Sequence, residues 1–351
     1  MECDFFKLTQ DEDLIKYENW FAENVKTFAK RPSYGFFCSF WDKFWGPKVD
    51  NWFLMRAFGK EKVYQKSIQI MKDINPDIVF STHWATHYYA VKSGISALTF
   101  LYCPDAELCE AFSYPSDCTI ISTNMGYDKG LKNVRGEFTE DNLVLSSQII
   151  RDELFDMSFD KNVYREELGL PMNNFTMLFM EGGYGHGKTE KICQELLNTD
   201  KNVTIIVACG TNEEMYKRLS SIKTKENITL VPLQMTNKVL HYLAASDLFL
   251  GKGCNTFAEA TFLGVPSIVI TVSNQIERNI GKFYSEEVKC AIVCKKVKKI
   301  VKQINQFLDK PSLLEVYRSN AIKDHNRYGV RKVVKLVYDK IKDWESKNNI
   351  N

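Results

Sequence analysis

The sequence predicts an α/β protein of two domains, the second a parallel β-sheet with helices on both faces and the first less regular. Three observations carry that expectation. Short apolar runs alternate with helical stretches through the second half of the chain, the pattern of βαβ units. The runs are continuously apolar rather than alternating, as strands covered on both faces are. The chain has 351 residues, which at ~100–200 residues per domain makes two domains.

The elements follow in order. In the first half, 77–82 (DIVFST), 96–102 (SALTFLY) and 117–123 (DCTIIST) read as buried strands, and 141–147 (DNLVLSS) as a more polar candidate. The boundary falls in 149–174. Beyond it, strands are expected at 175–180, 203–209, 228–233, 247–250 and 267–272. Helices are expected between them at 189–197, 212–219, 237–246 and 257–263. Near the end, Val330, Val333, Val334, Val337, Ile341 and Trp344 recur at helical spacing, so a long amphipathic helix closes the chain. The organisation expected is a first domain over 1–150, a second over 151–328, and a helix over 329–351 returning to the first.

Composition excludes several function classes. Lys and Arg number 46 and Asp and Glu 44, a net charge of +2, which argues against a dedicated nucleic-acid binder. No window holds ~18 uncharged apolar residues, as a spanning helix requires. The first residues, MECDFFKLTQDEDLIKYENW, are broken by charge and do not read as a signal peptide. The ten cysteines include no C-x-x-C pair; most sit in apolar runs, as small buried hydrophobes of a reducing compartment do. Cys290 and Cys294 flank a short strand, AIV, without zinc-site spacing.

Three local signals carry chemistry. EGGYGHGKT (181–189) stands between a strand and a helix, and Gly182 to Thr189 matches the phosphate-loop pattern literally. Glycines let backbone approach a phosphate, and a helix N-terminus offers free N–H groups. A phosphate-loop NTPase also needs an Asp ending a second strand to hold magnesium, and the neighbouring strands do not end in Asp. A tight structural turn is the other reading. GKGCNTFAEATFLGVP (251–266) gives a second glycine-lined helix start; Thr256 and Glu259 also form a capping box. Two such starts on one carboxyl sheet edge suit a diphosphate. Gln275, Glu277 and Asn279 occupy alternate positions past a strand, fit either to read sugar hydroxyls or to begin a solvated helix.

Together these signals resemble the donor domain of the two-domain GT-B glycosyltransferases. The likeness is to the family of monogalactosyl- and processive glucosyl-diacylglycerol synthases and the peptidoglycan N-acetylglucosaminyltransferase. It covers roughly 70–330, and GGYGHGK, CGTNEE, GKGCNTFAEATFLGVP and QIERN follow in the family's order. The resemblance implies two Rossmann-like domains facing a cleft, the N-terminal one abridged. It implies that Gly183, Gly185 and Gly187, with Asn255 and Thr256, face the nucleotide diphosphate, and that Gly182 and Gly253 belong to the same donor-binding set. Glu259 would bind the ribose, backbone near Leu233 the uracil, and Gln275, Glu277 and Asn279 the donor sugar. Asn212 in CGTNEE is a further donor-side position.

Ser81-Thr82-His83 resembles the family's strand end facing the acceptor, which makes His83 the candidate catalytic residue. His83 and His87, four apart, could also be a metal pair or a packed or solvent-facing pair. The family's opening strand, glycine loop and long helix, whose His or nearby acid is the usual base, have no counterpart before Phe36. Three readings follow from that departure: a sequence that begins at an internal Met, a truncated one, or one that relies on a partner chain.

The segment 34–58 concentrates aromatics with interspersed lysines, which fits a membrane interface or a packed core. In the family this region lies near a membrane-facing cleft, which favours contact. Lys295, Lys296, Lys298, Lys299 and Lys302 read as a solvated helix face, or as attraction to anionic lipid.

The activity so implied is an inverting hexosyltransferase moving a sugar from a UDP-sugar to a diacylglycerol-like membrane lipid. No Asp-x-Asp signature occurs in the donor domain, so neither metal nor cofactor is expected. The protein would be cytoplasmic and peripheral, with UDP-sugar, lipid acceptor and membrane surface as partners and no nucleic acid. The alternative is a non-catalytic UDP-sugar-binding subunit or truncated homologue that needs a partner chain. A nucleotide-sugar epimerase is a third reading, although its cleft carboxylates are not recognisable.

Overall fold

Four parallel strands carry the first unit. Helix α1 (Glu61–Ile74) leads to β1 (Ile78–Ser81), α2 (Trp84–Ser93), β2 (Leu98–Cys103), β3 (Cys118–Ile121), α3 (Asn124–Asn133) and β4 (Leu143–Leu145). The order is β1-β2-β3-β4, parallel throughout. Every residue of β2 and β3 is buried, which is why those runs are mostly apolar, with Thr99 and Thr119 as the buried polar exceptions. β1 alternates instead, with Val79 buried and Phe80 exposed. The computed structural model describes Glu12, Lys16 and residues 61–108, 112, 116–133, 138–183, 187–272 and 275–348. The aromatic segment 34–58 and Gly185 lie outside the described residues.

The second unit, Ser147–Val330, is divided by its contacts from Met1–Ser146 with Arg331–Asn351. Its elements are α4 (Lys161–Glu167), β5 (Phe175–Met180), α5 (Thr189–Leu196), β6 (Val203–Gly210), α6 (Glu213–Ser220), β7 (Ile228–Gln234) and α7 (Val239–Ala244). They continue with β8 (Leu248–Lys252), α8 (Thr256–Phe262), β9 (Ser267–Thr271), α9 (Gln275–Lys282), β10 (Ala291–Val293), α10 (Val297–Asp309) and α11 (Leu314–Lys323). The six strands are parallel and run β10-β9-β8-β5-β6-β7. The chain moves outward from β5 to β7, then returns to lay β8 on the other flank of β5. That reversal makes the crevice beyond β5 and β8 the expected ligand position.

The core explains the strand spelling. Met177, Leu178 and Phe179 are wholly buried, as are Leu248, Phe249 and Leu250 beside them. Helices α5 and α10 cover one face through Ile192, Cys193, Ile300 and Ile304. On the other, Phe257 of α8 meets Phe249 edge-on with ring centroids 5.0 Å apart. At the amino edge, Arg165 of α4 ties the sheet together. Its Nη2 donates to Asp247 Oδ2 at 2.7 Å, Nε to the Ala245 carbonyl at 3.0 Å and Nη1 to the Met172 carbonyl at 2.7 Å. Lys161 also pairs with Asp247, and Thr176 N donates to it at 2.8 Å. A buried ion pair is tolerable because its remaining hydrogen-bonding groups are occupied.

Helix α12 (Val330–Lys347) closes the chain and, from Arg331 on, is grouped with the first unit. Val333 and Ile341 are buried, with Val330, Val337 and Trp344 half-buried. Val334 is 57% exposed, so the apolar stripe is narrower than the sequence pattern implied. The lysines at 295, 296, 298, 299 and 302 are all exposed.

Candidate functional site

Four chain segments at the carboxyl edge of the second sheet close into a ring. The first begins at Glu181, directly after β5. Its Oε2 accepts hydrogen bonds from Lys188 N at 2.7 Å, Thr189 N at 2.8 Å and Thr189 Oγ1 at 2.7 Å. Its Oε1 accepts one from Thr271 Oγ1 at the end of β9. The start of α5 is thus filled by the chain's own carboxylate, where an anion is favoured. Gly187 has φ +153°, and a Cβ there would lie 2.1 Å from Glu181 Oε1. The glycine is required by the carboxylate, rather than by an approaching phosphate.

Lys188 departs from the phosphate-loop pattern in the same way. Its Nζ donates to the Ile270 carbonyl at 3.0 Å, and burial lowers its pKa, against the opposing charge of Glu181. The NTPase reading fails on these partners.

The ring continues across the switch point. Gly182, with φ +87°, lies against Lys252 at the end of β8; a Cβ there would be 2.9 Å from Lys252 Cε. Lys252 Nζ lies 3.5 Å from Glu277 Oε1 on α9. Gly253 is pressed on the same helix, since a Cβ would come within 2.4 Å of the Glu277 carbonyl. Gly183 faces β6: its carbonyl accepts from Thr211 N at 2.8 Å and Thr211 Oγ1 at 3.2 Å.

The remaining predicted residues divide. Asn212 caps α6, its Oδ1 accepting from Met215 N at 3.0 Å. Leu233 is half-buried on β7, paired with Ala208. Asn255 is exposed and Thr256 buried at the start of α8, where no side chain caps the helix. The expected capping box does not form, because Glu259 is drawn elsewhere. Both its oxygens accept from Arg151, Oε1 from Nε at 2.7 Å and Oε2 from Nη2 at 2.9 Å. Gln275, Glu277 and Asn279 are not a row. On helix α9, Gln275 Nε2 donates to Asn279 Oδ1 at 2.6 Å, while buried Glu277 turns to Lys252. Alternate positions share a face in a strand and not in a helix.

In the first unit, His83 precedes α2 and caps it, its Nδ1 accepting from Ala85 N at 3.2 Å. His83 is exposed and His87 is fully buried, so they do not form a metal pair. Among the described residues no three His, Cys, Asp or Glu side chains group as a metal site would need. Sequence reading passed over Glu181, Lys252, Arg151 and, beyond β2, Asp105. Glu181 and Lys252 end strands and were legible by position; the partner of Glu259 lies over a hundred residues away and was not.

Residues 189–333 match the model of the glycosyltransferase family 28 C-terminal domain. The chain is similar to a processive diacylglycerol beta-glucosyltransferase of Bacillus pumilus, 26% identical over 186 residues, 53% of this chain and 48% of the relative. The chain spans about half the length of the curated relatives it matches. In fold it resembles the MurG of Acinetobacter baumannii, TM-score 0.57 at 14% identity, over 81% of this chain and 79% of that one. It also resembles a UDP-GlcNAc 2-epimerase from Neisseria meningitidis bound to UDP-GlcNAc, TM-score 0.61 at 14% identity, over 81% and 82%. The fold is α/β of the GT-B type. Among the described residues no helix is long and apolar enough to cross a membrane.

Proposed function

We propose that this chain is a hexosyltransferase that uses a UDP-sugar and glycosylates a diacylglycerol-like lipid at a membrane surface. The observation that carries the reading is the ring at the β5/β8 switch point, within a unit whose sequence matches a glycosyltransferase domain. In the proposed site Lys252 and the loop amides following β8 offset the charge gathering on the leaving diphosphate. Glu259, oriented by Arg151, accepts from the ribose hydroxyls. Gln275 and Asn279 meet the sugar. The reaction is a single inverting displacement without a metal: the acceptor oxygen attacks the anomeric carbon as the bond to the diphosphate breaks.

The test is turnover of UDP-glucose and UDP-galactose with diacylglycerol vesicles, read by mass spectrometry, alongside UDP affinity by calorimetry in excess chelator. A β-glycoside formed in chelator is the expected product. UDP binding without turnover of any donor would favour the non-catalytic subunit instead. Loss of UDP affinity in chelator would remove metal independence. Lipid association through 34–58 and a cytoplasmic, peripheral location belong to the same proposal, checked by vesicle flotation.

A further inference from the structure

Lys295, Lys296, Lys298, Lys299 and Lys302 put five positive charges on eight residues, and no Asp or Glu occurs between Glu287 and Asp309. All five are exposed. Among the described residues none of them is ion-paired with a carboxylate. Asp309, at the far end of α10, pairs with Lys201 at 2.8 Å instead. Helix α10 buries Ile300, Ile304, Phe307 and Leu308, which leaves Lys298, Lys299 and Lys302 together on its outer side, three and four residues apart. Lys298 and Lys299 stand in the first turn, where the helix dipole favours acids, and that turn holds none. Like charges four apart on a helix also repel. The fold gains no stability from this arrangement.

The position of the run gives the charge a use. β10 pairs in parallel with β9, Val293 beside Val269, so the chain leaves β10 at the same carboxyl edge as the ring. Cys294 N donates to the Val269 carbonyl at 3.0 Å. The next carbonyl of β9, that of Ile270, accepts from Lys188 Nζ at 3.0 Å, and Thr271 Oγ1 donates to Glu181. Burial lowers the Lys188 pKa, and the nearby charge of Lys295 lowers it further. The run therefore starts at the rim of the ring. The acids on that rim have cations of their own: Glu277 faces Lys252, Glu190 faces Arg218, and Glu181 opposes the charge of Lys188. The field of the lysines extends into solvent without a local counter-charge.

We propose that Lys295, Lys296, Lys298, Lys299 and Lys302 form an electrostatic funnel that captures an anionic nucleoside-diphosphate sugar and guides it to the ring. The inference rests on the reading of the ring as a sugar-nucleotide site. Charge of one sign beside a cleft raises the rate of encounter with an oppositely charged ligand about tenfold or more, and salt removes the gain. The lysines act on encounter, while dissociation is set by the ring.

The experiment uses the full-length protein and, as probe, UDP carrying a fluorophore on its terminal phosphate, mixed by stopped flow. Salt is set at about 10 mM, where charges act over about 30 Å, and at about 1 M, where they act over about 3 Å. The wild type is compared with a triple variant, Lys298→Gln, Lys299→Gln and Lys302→Gln, and with the same three positions changed to Arg. At low salt the Gln variant should associate about tenfold more slowly than wild type, with dissociation within about twofold and a melting temperature no lower. At high salt the two should coincide, and the Arg variant should match wild type throughout. Unchanged association of the Gln variant at low salt overturns the funnel, as does an Arg variant as slow as the Gln one. Slowing that persists at high salt with faster dissociation also overturns it, since the lysines would then touch the bound ligand. A Gln variant that keeps its association rate but no longer floats with phosphatidylglycerol vesicles makes the run a lipid-docking face instead. A wild type that binds the probe at a salt-independent rate removes the funnel alone; one that binds no probe removes the sugar-nucleotide reading with it.

Discussion

Two carboxylates stand just beyond strand ends in different surroundings. Glu181 receives four hydrogen bonds, two of them from backbone N–H groups at a helix start. Charge-assisted bonds of this kind contribute about 1.5–3 kcal/mol each to a buried anion. Glu181→Ala should therefore destabilise the second unit by about 3 kcal/mol or more and reopen the anion seat at α5. Inorganic phosphate should then raise the melting temperature of the variant more than that of wild type, with sodium chloride at matched ionic strength as control. An equal response of both proteins would show that the seat is not the carboxylate's.

Asp105, by contrast, has its pKa raised to about 6 by desolvation. Its folded-state value lies above the unfolded one, so the folded protein holds the proton to higher pH. Stability contributed by the protonated form is present below about pH 4 and is lost as pH rises through 6, by roughly 3 kcal/mol at most. Asp105→Asn should accordingly melt higher than wild type at pH 7.5 and converge with it near pH 4. Parallel melting curves across that range would contradict the buried setting.

At the scale of elements, legibility followed periodicity. β5 is found at the residues expected from sequence, Phe175–Met180, and β6 and β7 each extend one residue beyond expectation; in β5 and β6 this is because largely covered strands leave a mostly apolar spelling. β4 shrinks to Leu143–Leu145, its flanks being polar. The donor-side residues were legible as a set and not as contacts. A capping box is a local pattern, and Glu259 answers instead to Arg151, brought near by tertiary folding. Asp105 carried no sequence signal beyond following a strand, since an Asp after Pro104 reads as a turn.

The Arg151–Glu259 pair gives its own prediction. Each single change, Arg151→Ala or Glu259→Ala, should weaken UDP binding about tenfold. The double variant should be no weaker than Glu259→Ala alone, because the arginine acts only by holding the carboxylate. Calorimetric titration decides it; additive losses would mean that Arg151 touches the nucleotide itself.

For the whole molecule, the two units own separate sheets and separate cores. Met177, Ile205, Leu250 and Ile304 belong to the core of the second, Leu101, Ile121 and Leu143 to that of the first. Units so built unfold as distinct cooperative blocks in the usual case. Calorimetry should therefore resolve two transitions. The proposed roles assign each ligand and variant to one of them. UDP at 100 times its dissociation constant stabilises whatever binds it by about 2.7 kcal/mol, and should raise the transition that Glu181→Ala lowers while leaving the other in place. Asp105→Asn and pH should move the other. Hydrogen exchange identifies which amides melt in each step. If UDP instead protected the amides of β1 to β4 and spared those of β5 to β9, the donor site would lie in the first unit and the assignments at the β5/β8 switch point would fall together.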